Sequence, residues 1–509
     1  MMPKIVRSWT GTGAAPDMLL ATTVLLNIAL LIFGWRRYAD LHKEVAQRRR
    51  AEAAAQELAL TDPLTQCLNR RSMGPAMDAL CARADAAHKA VAVLLIDVDK
   101  FKQVNDLNGH RTGDAVLRTV ADRIRSLLPD DGALARTGGD EFVCAILFDP
   151  GNRAQVERFA DKLIEQVSQP IPHDGRNVQT TISIGMAVCT DEERAQSEGL
   201  SDRLIHRADI AMYQAKKRGR HRFCWFEPQM EDELRFRHEL ERAIRTGLSA
   251  GEFVPYYEQQ IDLKTGQLVG FEMLARWRSA QFGEVSPEIF IPIAEEIDVI
   301  GEMSEGLIRQ ALHDAKEWHP RLTLSVNISP IQLRDPWFAQ KLLKLLVDTG
   351  FPPERLEIEI TESCLHENIG AVRAIVISLK NQGIRISLDD FGTGYSSLSQ
   401  LRSLPFDRLK IDRSFVSELA GDGCNKELVK AIISLGRGLT LPLTAEGVET
   451  ADVLDALREF GELKGQGYHY GQPEDAAATR QRLASLNLMA EGSNAVPEAV
   501  DVHDQREAG

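Results

Sequence analysis

The sequence lacks any pair of cysteines at close spacing. Its seven cysteines, Cys67, Cys81, Cys144, Cys189, Cys224, Cys364 and Cys424, are scattered with no C-x-x-C among them. This argues against a disulfide frame and for reduced thiols in a cytosolic compartment, buried as small hydrophobes. There is no excess of positive charge either. A net charge of −14 removes the general nucleic-acid binders, which need a basic face to release counterions. Nucleotide substrates remain open, because metals and a few local cations can hold them. The rest of the composition is ordinary for globular protein, at 44% apolar and 26% charged. At 509 residues, two or three domains are expected.

Charge is absent from one long stretch, residues 18–35 (MLLATTVLLNIALLIFGW). As a helix it spans about 27 Å, close to the roughly 30 Å hydrocarbon core of a bilayer. Trp35 stands where an interfacial aromatic belongs, and Arg36, Arg37, Lys43 and Arg48–Arg50 follow, against Lys4 and Arg7 before the run. The positive-inside asymmetry predicts a single transmembrane helix in the cell inner membrane, with the rest of the chain cytoplasmic and residues 1–17 a short tail. A cleaved signal peptide is the alternative, but the run meets Arg36-Arg37 rather than small residues. Residues 38–61 contain no Gly or Pro, which predicts a helical linker over 36–61. Leu41, Val45, Ala55 and Ala59 lie near one heptad stripe interrupted by Arg48 and Glu52, so a solvated linker and a parallel dimerising helix both stand.

Residues 62–226 alternate buried-strand runs with polar turns. VAVLLI (91–96) stops on Asp97-Val98-Asp99. A polar turn through Asn105, Asp106, Asn108, Gly109 and His110 then leads to Gly113-Asp114 and an amphipathic helix over 115–128. Gly138-Gly139-Asp140-Glu141 forms a tight turn between two apolar strands. Glycines there permit close backbone approach to a ligand, and flanking acids suit Mg²⁺ on phosphates. Lys216, Lys217, Arg218 and Arg220 close a helix and can clamp a triphosphate. Singly, these are a hairpin and a helix-end charge run; together they fit metal-assisted phosphoryl or nucleotidyl transfer.

In residues 233–489, seven apolar runs end on polar groups. They present Glu272, Asn327, Glu359 with Glu362, Asp389-Asp390, Lys410 with Asp412, Glu446 with Glu449, and Gln466. Helical segments over 338–349, 369–382, 426–439 and 451–460 fall between them. Strands that each offer a carboxylate, amide or amine at comparable ends predict a TIM-like (β/α) barrel with one acidic mouth. Any one member has a plainer reading: Glu449 as a helix N-terminal acid, Asn327 as a turn residue, Asp389-Asp390 as a cap beside a phosphate-binding turn. Five or more carboxylates aimed into one mouth repel without cations, so a two-metal centre acting on a phosphodiester is the economical reading. Residues 490–509 are polar and predicted to be disordered.

TGGDEF (137–142), IDVDKFKQVNDLNGHRTGD, TISIG and ADIAMYQAKKRGR together resemble the GGDEF family of diguanylate cyclases. The resemblance implies an α+β palm-like domain in which Asp97 and Asp140 hold Mg²⁺ with GTP. It also implies that Glu141 is a further catalytic-site carboxylate, metal-linked or deprotonating the 3′-hydroxyl, that Asn105 and Asp114 read guanine, and that Lys216 and Arg220 contact phosphates. Synthesis would join two GTP in a homodimer. The family's product-inhibition RxxD falls at Pro129-Asp130-Asp131-Gly132, where both its arginine and its aspartate are missing. Residues 233–489 resemble the EAL family of cyclic di-GMP phosphodiesterases, with Glu272-Met273-Leu274 in the signature position. That resemblance implies two Mg²⁺ or Mn²⁺ held by Glu272, Asn327, Glu359, Asp389, Asp390 and Glu446. It assigns Lys410 and Gln466 to the attacking water, Arg276 to substrate phosphate, and Glu362 and Glu449 to supporting positions, Glu362 steadying the loop after Asp390. Tyr257-Glu258-Gln259 departs from the family's Tyr-Gln-Pro near the substrate mouth. Three readings follow: a phosphodiesterase with a competent cyclase beside it, a phosphodiesterase whose GGDEF domain binds GTP as an activator, or a cyclic di-GMP receptor without catalysis.

Overall fold

Residues 90–98 (AVAVLLIDV) are apolar at both alternations, so the strand they form needs cover on both faces. The computed structural model, which describes residues 18–189, 199–365, 369–392, 398–419 and 424–490, supplies it. The chain divides into two units, Met1–Arg235 and Phe236–Gly509. In the first, the strands are β1 (Leu68–Asn69), β2 (Ala90–Val98), β3 (Ala133–Gly138), β4 (Glu141–Phe148), β5 (Ile171–His173), β6 (Arg176–Val178), β7 (Ile182–Val188) and β8 (Phe223–Trp225). Six make one sheet in the order β1-β3-β4-β2-β7-β8, with β2 antiparallel to both β4 and β7. Ala92, Leu94 and Ile96 pack with Val116, Val120 and Leu163 on one face. Val91, Val93 and Leu95 pack with Met73, Met77 and Met212 on the other. The result is a two-faced α/β sandwich.

Helix Leu200–Lys217 lies so close on β7 that a side chain at Gly185 would put Cβ 1.8 Å from the Ala208 carbonyl oxygen. That glycine lets the helix run down to the end of β2, where its last turn delivers Lys216. One local expectation is corrected. Phe101–Asn108 is a helix rather than a polar turn, because Val104 is buried and Phe101 packs beside it on the sheet. The turn is reduced to Gly109, at φ 82°.

The second unit contains β9 (Phe253–Asp262), β10 (Leu268–Ser279), β11 (Gly283–Val285), β12 (Thr323–Ile328), β13 (Leu356–Thr361), β14 (Arg385–Phe391), β15 (Arg408–Ile411), β16 (Leu443–Ala445) and β17 (Lys464–Gly465). Strands β10 and β12 to β17 pair in parallel sequence, and β9 pairs with both β10 and β17, which closes a barrel. Helices Ile300–Lys316, Phe338–Thr349, Ile369–Lys380, Cys424–Gly438 and Ala451–Arg458 connect the parallel strands. Strand β9 runs against all of them, a departure from a uniform (β/α) barrel. It meets β10 through a tight turn in which the Asp262 carboxylate accepts from the Lys264 and Thr265 amides, and a hairpin link of that length cannot make a parallel crossover.

A single helix, Met18–Leu60, holds the apolar run and the linker. Among the described residues no helix is long and apolar enough to cross a membrane; side chains of this run are described from Thr22 onward. The predicted tails at 1–17 and beyond 490, and Gly394 and Ser397 of the loop after Asp390, lie outside the described residues. The cysteines whose side chains are described are buried thiols.

Candidate metal and phosphate centre

Alternation along each barrel strand sends every second side chain inward. At the C-terminal ends of the parallel strands the inward positions are Glu272, Asn327, Glu359, Asp389, Lys410, Glu446 and Gln466. Lys410 is at the centre and wholly buried. Its Nζ lies 2.9 Å from Glu272, 2.5 Å from Glu359, 3.3 Å from Asp389 and 2.5 Å from Glu446. Asn327 and Gln466 each donate to Glu272 at 2.6 Å, on opposite oxygens. Burial opposes ionisation of Glu272, yet Lys410 and these donors hold its carboxyl below the usual range. Burial with neighbouring acids pushes Glu359 and Glu446 well above it. Burial also works against a charge on Lys410, but the four carboxylates keep it firmly protonated.

Asp389 and Asp390 are neighbours, and strict alternation would put them on opposite faces. The ladder between β14 and β15 shifts register between Leu388 and Phe391, and Asp390 takes φ 53°. This local irregularity turns the second carboxylate toward the same mouth. Ligand oxygens of Asp389, Asp390 and Glu446 consequently lie within 4.8 Å of one another, the only such group of three among the described residues. Burial, then the Asp389 charge, raises Asp390 to about 6. One oxygen of Glu359, Oε1, is buried without a hydrogen-bond partner. An all-oxygen donor set with an unsatisfied buried carboxylate oxygen fits a hard divalent cation such as Mg²⁺ or Mn²⁺.

The remaining predicted residues are more loosely placed. Glu362 accepts from the Gly392 amide at 3.2 Å, at the start of the loop after Asp390. Arg276 is half-buried, with its guanidinium 5.5 Å from the centre of the Tyr256 ring. Glu449 is exposed and outside the cluster. Asp412 caps the short helix Arg413–Val416.

Below the acids lies a second polar layer that the sequence reading missed. Two residues earlier on the strands stand Ser325, Glu357, Ser387, Arg408, Thr444 and Lys464. Ser387 and Arg408 both donate to Oε1 of Glu357. Gln260 of β9 bridges Ser325 and Gln466 at 3.3 Å each. Burial, then Arg408, lowers Lys464 to about 8. The signal was available, since each site residue has a polar residue two positions before it except Glu272, which has Gly270.

In the first unit, Asp97 ends β2 opposite Glu141 of β4, and Lys216 Nζ is 2.7 Å from its carboxylate. Burial raises Asp97 to about 6, against the pull of Lys216 and with the push of Asp140. Gly139 holds the turn at φ 53°, and Arg136 donates to its carbonyl at 3.0 Å. Asn105 Oδ1 is buried and without a partner, and a Cβ at Gly113 would fall 1.9 Å from it. Asp114 is exposed on the next helix. Arg220 lies 4.0 Å from Asp99. Asp99, legible in the sequence only as part of the acidic end of β2, accepts from Thr181 at 2.6 Å and Ser183 at 2.7 Å and so fixes the base of the Arg220 loop.

Residues 59–222 match the diguanylate cyclase GGDEF domain and residues 240–473 match the EAL domain. The bifunctional diguanylate cyclase/cyclic di-GMP phosphodiesterase MucR of Pseudomonas aeruginosa is 34% identical over 92% of this chain and 68% of its own. An uncharacterized signaling protein of Caulobacter vibrioides is 38% identical over 85% of this chain and 53% of its own, so this chain spans about half the length of that relative. The structure of Vibrio cholerae LapD S helix-GGDEF-EAL shares the fold, with TM-score 0.51 and 17% identity, covering 84% of this chain and 99% of that one.

Proposed function

Because the chain belongs to the family that carries a GGDEF domain followed by an EAL domain, we propose that its barrel hydrolyses cyclic di-GMP to linear pGpG. The observation that carries this reading is the set of four carboxylates gathered on Lys410, with Asp390 turned into the same mouth. Mg²⁺ or Mn²⁺, two per site in this reading and held by Glu272, Asn327, Glu359, Asp389, Asp390 and Glu446, would supply Lewis-acid activation of the attacking water. Lys410, with its ammonium committed to four carboxylates, keeps the ligand oxygens in place. Gln466 and Asn327 fix the Glu272 carboxylate from both sides. Arg276, held against Tyr256, receives the phosphodiester at the mouth. Water adds to phosphorus, the P–O3′ bond breaks, and the proton ends on the ribose oxygen. Incubation of the purified chain with cyclic di-GMP and Mn²⁺ should yield pGpG, with none formed in chelator or by Glu272→Ala. Retained tight binding without product would reject the enzyme.

A second reading concerns the first unit, where the buried, unpartnered Asn105 Oδ1 favours a bound purine. Here the unit binds GTP, and as a homodimer either makes cyclic di-GMP or passes the binding on as activation. Formation of cyclic di-GMP from GTP by Glu272→Ala would favour synthesis; a GTP-raised hydrolysis rate without synthesis would favour activation.

The reading also places the chain at the cytoplasmic face of the inner membrane. Leu25, Leu26, Leu30, Leu31, Ile32, Phe33 and Trp35 are exposed around the whole circumference of their helix, a pattern that needs lipid or protein cover. The chain should stay in the membrane pellet after an alkaline carbonate wash and leave it when residues 18–35 are deleted. Release of the intact chain by carbonate would remove the anchor.

A further inference from the structure

Strand β9 gives the barrel mouth one acid that takes no part in the Lys410 cluster. Glu258 stands in register opposite Glu272 on the antiparallel pair β9–β10, and directly opposed residues share a face of the sheet. It is 9% exposed. Among the described residues no hydrogen bond or ion pair within 4 Å meets its carboxylate, whereas Glu272, Glu359, Asp389 and Glu446 all share Lys410. Two positions further along β9, Tyr256 carries Arg276 over its ring. Two positions in the other direction, Gln260 ties β9 to Gln466. Glu258 is therefore fixed in a rigid strand between the metal acids and the arginine that meets phosphate. The nearest cations to act on it are Lys410 and Arg276.

A buried carboxylate without a donor of its own repels a phosphate that enters the same space, and it is weakly screened by salt. The two ends of the proposed reaction differ in charge. The cyclic dinucleotide carries two phosphodiesters, about two negative charges. Opening one of them leaves a terminal phosphomonoester, which brings the linear product to about three at pH above its second ionisation near 6. A fixed negative charge at the mouth acts more strongly against the product than against the substrate.

We propose that Glu258 is a product-release residue, whose carboxylate lowers affinity for both dinucleotides and disfavours the linear one more. The inference rests on the reading of this barrel as the site that opens cyclic di-GMP. It assigns a role to strand β9, which contributes no member to the Lys410 cluster.

The test compares the full chain with Glu258→Gln, which keeps the shape and removes the charge, Glu258→Ala, which removes both, and Glu258→Asp, which keeps the charge. Steady-state hydrolysis of cyclic di-GMP with Mn²⁺ is measured at pH 8.5, where the terminal phosphomonoester of pGpG carries its second charge, together with inhibition by added pGpG. Glu258→Gln and Glu258→Ala should each lower the inhibition constant of pGpG by about tenfold and KM by a smaller factor, with kcat equal or reduced, while Glu258→Asp stays near wild type. An inhibition constant that is unchanged or raised in both neutral variants overturns the inference. Should wild type fail to hydrolyse at all, the reading of the site falls instead, a result distinct from hydrolysis with unaltered product inhibition.

Discussion

Replacing Lys410 with Met should lower the stability of the barrel by about 3–5 kcal/mol and reduce hydrolysis at least about 100-fold. The Nζ group is the shared partner of Glu272, Glu359, Asp389 and Glu446, all within 3.3 Å. Methionine fills the space but leaves the four acids facing one another in a buried site. Part of the loss should be recoverable: a divalent cation that binds the folded state stabilises it by mass action, and it has more repulsion to relieve in the variant. Thermal unfolding in chelator and in Mn²⁺ checks this. The stabilisation by Mn²⁺ should be larger for Lys410→Met than for wild type. Equal shifts would mean that the cation and Lys410 do not share the same carboxylates.

Asp390→Asn should behave in the opposite way, with activity lost and the fold kept. Asp390 sits at φ 53°, a conformation that asparagine tolerates and most side chains do not. Asn keeps the shape and the turn while removing the charge, so stability should change by less than about 1 kcal/mol. Loss of a carboxylate ligand should weaken cation affinity at least about 10-fold and lower hydrolysis about 100-fold or more. Calorimetric titration with Mn²⁺ and a denaturant melt on the same preparation measure both. A variant with full activity would remove Asp390 from the centre, and one that fails to fold would show that the turn depends on the charge. Asp390→Ala would confound the two, because its Cβ-bearing backbone gains no compensation for the left-handed conformation.

Much of the barrel was legible because its signal is local. Apolar runs that stop on Glu272, Asn327, Glu359, Asp389, Lys410, Glu446 and Gln466 announce strands that end at a polar mouth, and the intervening helices follow from periodicity. What escaped depends on pairing between distant segments. The antiparallel course of β9 follows from its short turn into β10, but its closure on β17 joins segments about two hundred residues apart, and no window of sequence contains that contact. The convergence of Asp389 and Asp390 requires the register shift against β15; alternation alone would have separated them. The layer of Glu357, Arg408 and Lys464 was overlooked because charged residues inside strands read as exposed edges, whereas barrel closure turns them inward. In the first unit, Asn105, Asp106 and Asn108 read as a polar turn, and burial of Val104 against the sheet made that stretch a helix. Asp99 gained its place through Thr181 and Ser183, eighty residues away and invisible to spacing. Arg276 is oriented by Tyr256 across a hairpin pair, again a contact between strands.

The central claim is that the barrel mouth converts what it binds. Binding and turnover of cyclic di-GMP should be measured in one sample of the purified chain, first in chelator and then after addition of Mn²⁺. The account predicts that dinucleotide bound in chelator is converted to pGpG once the cation is added, and that Glu359→Gln binds without converting. Stable binding of intact cyclic di-GMP by the wild-type chain, with Mn²⁺ present and no pGpG formed, would contradict it and leave a receptor.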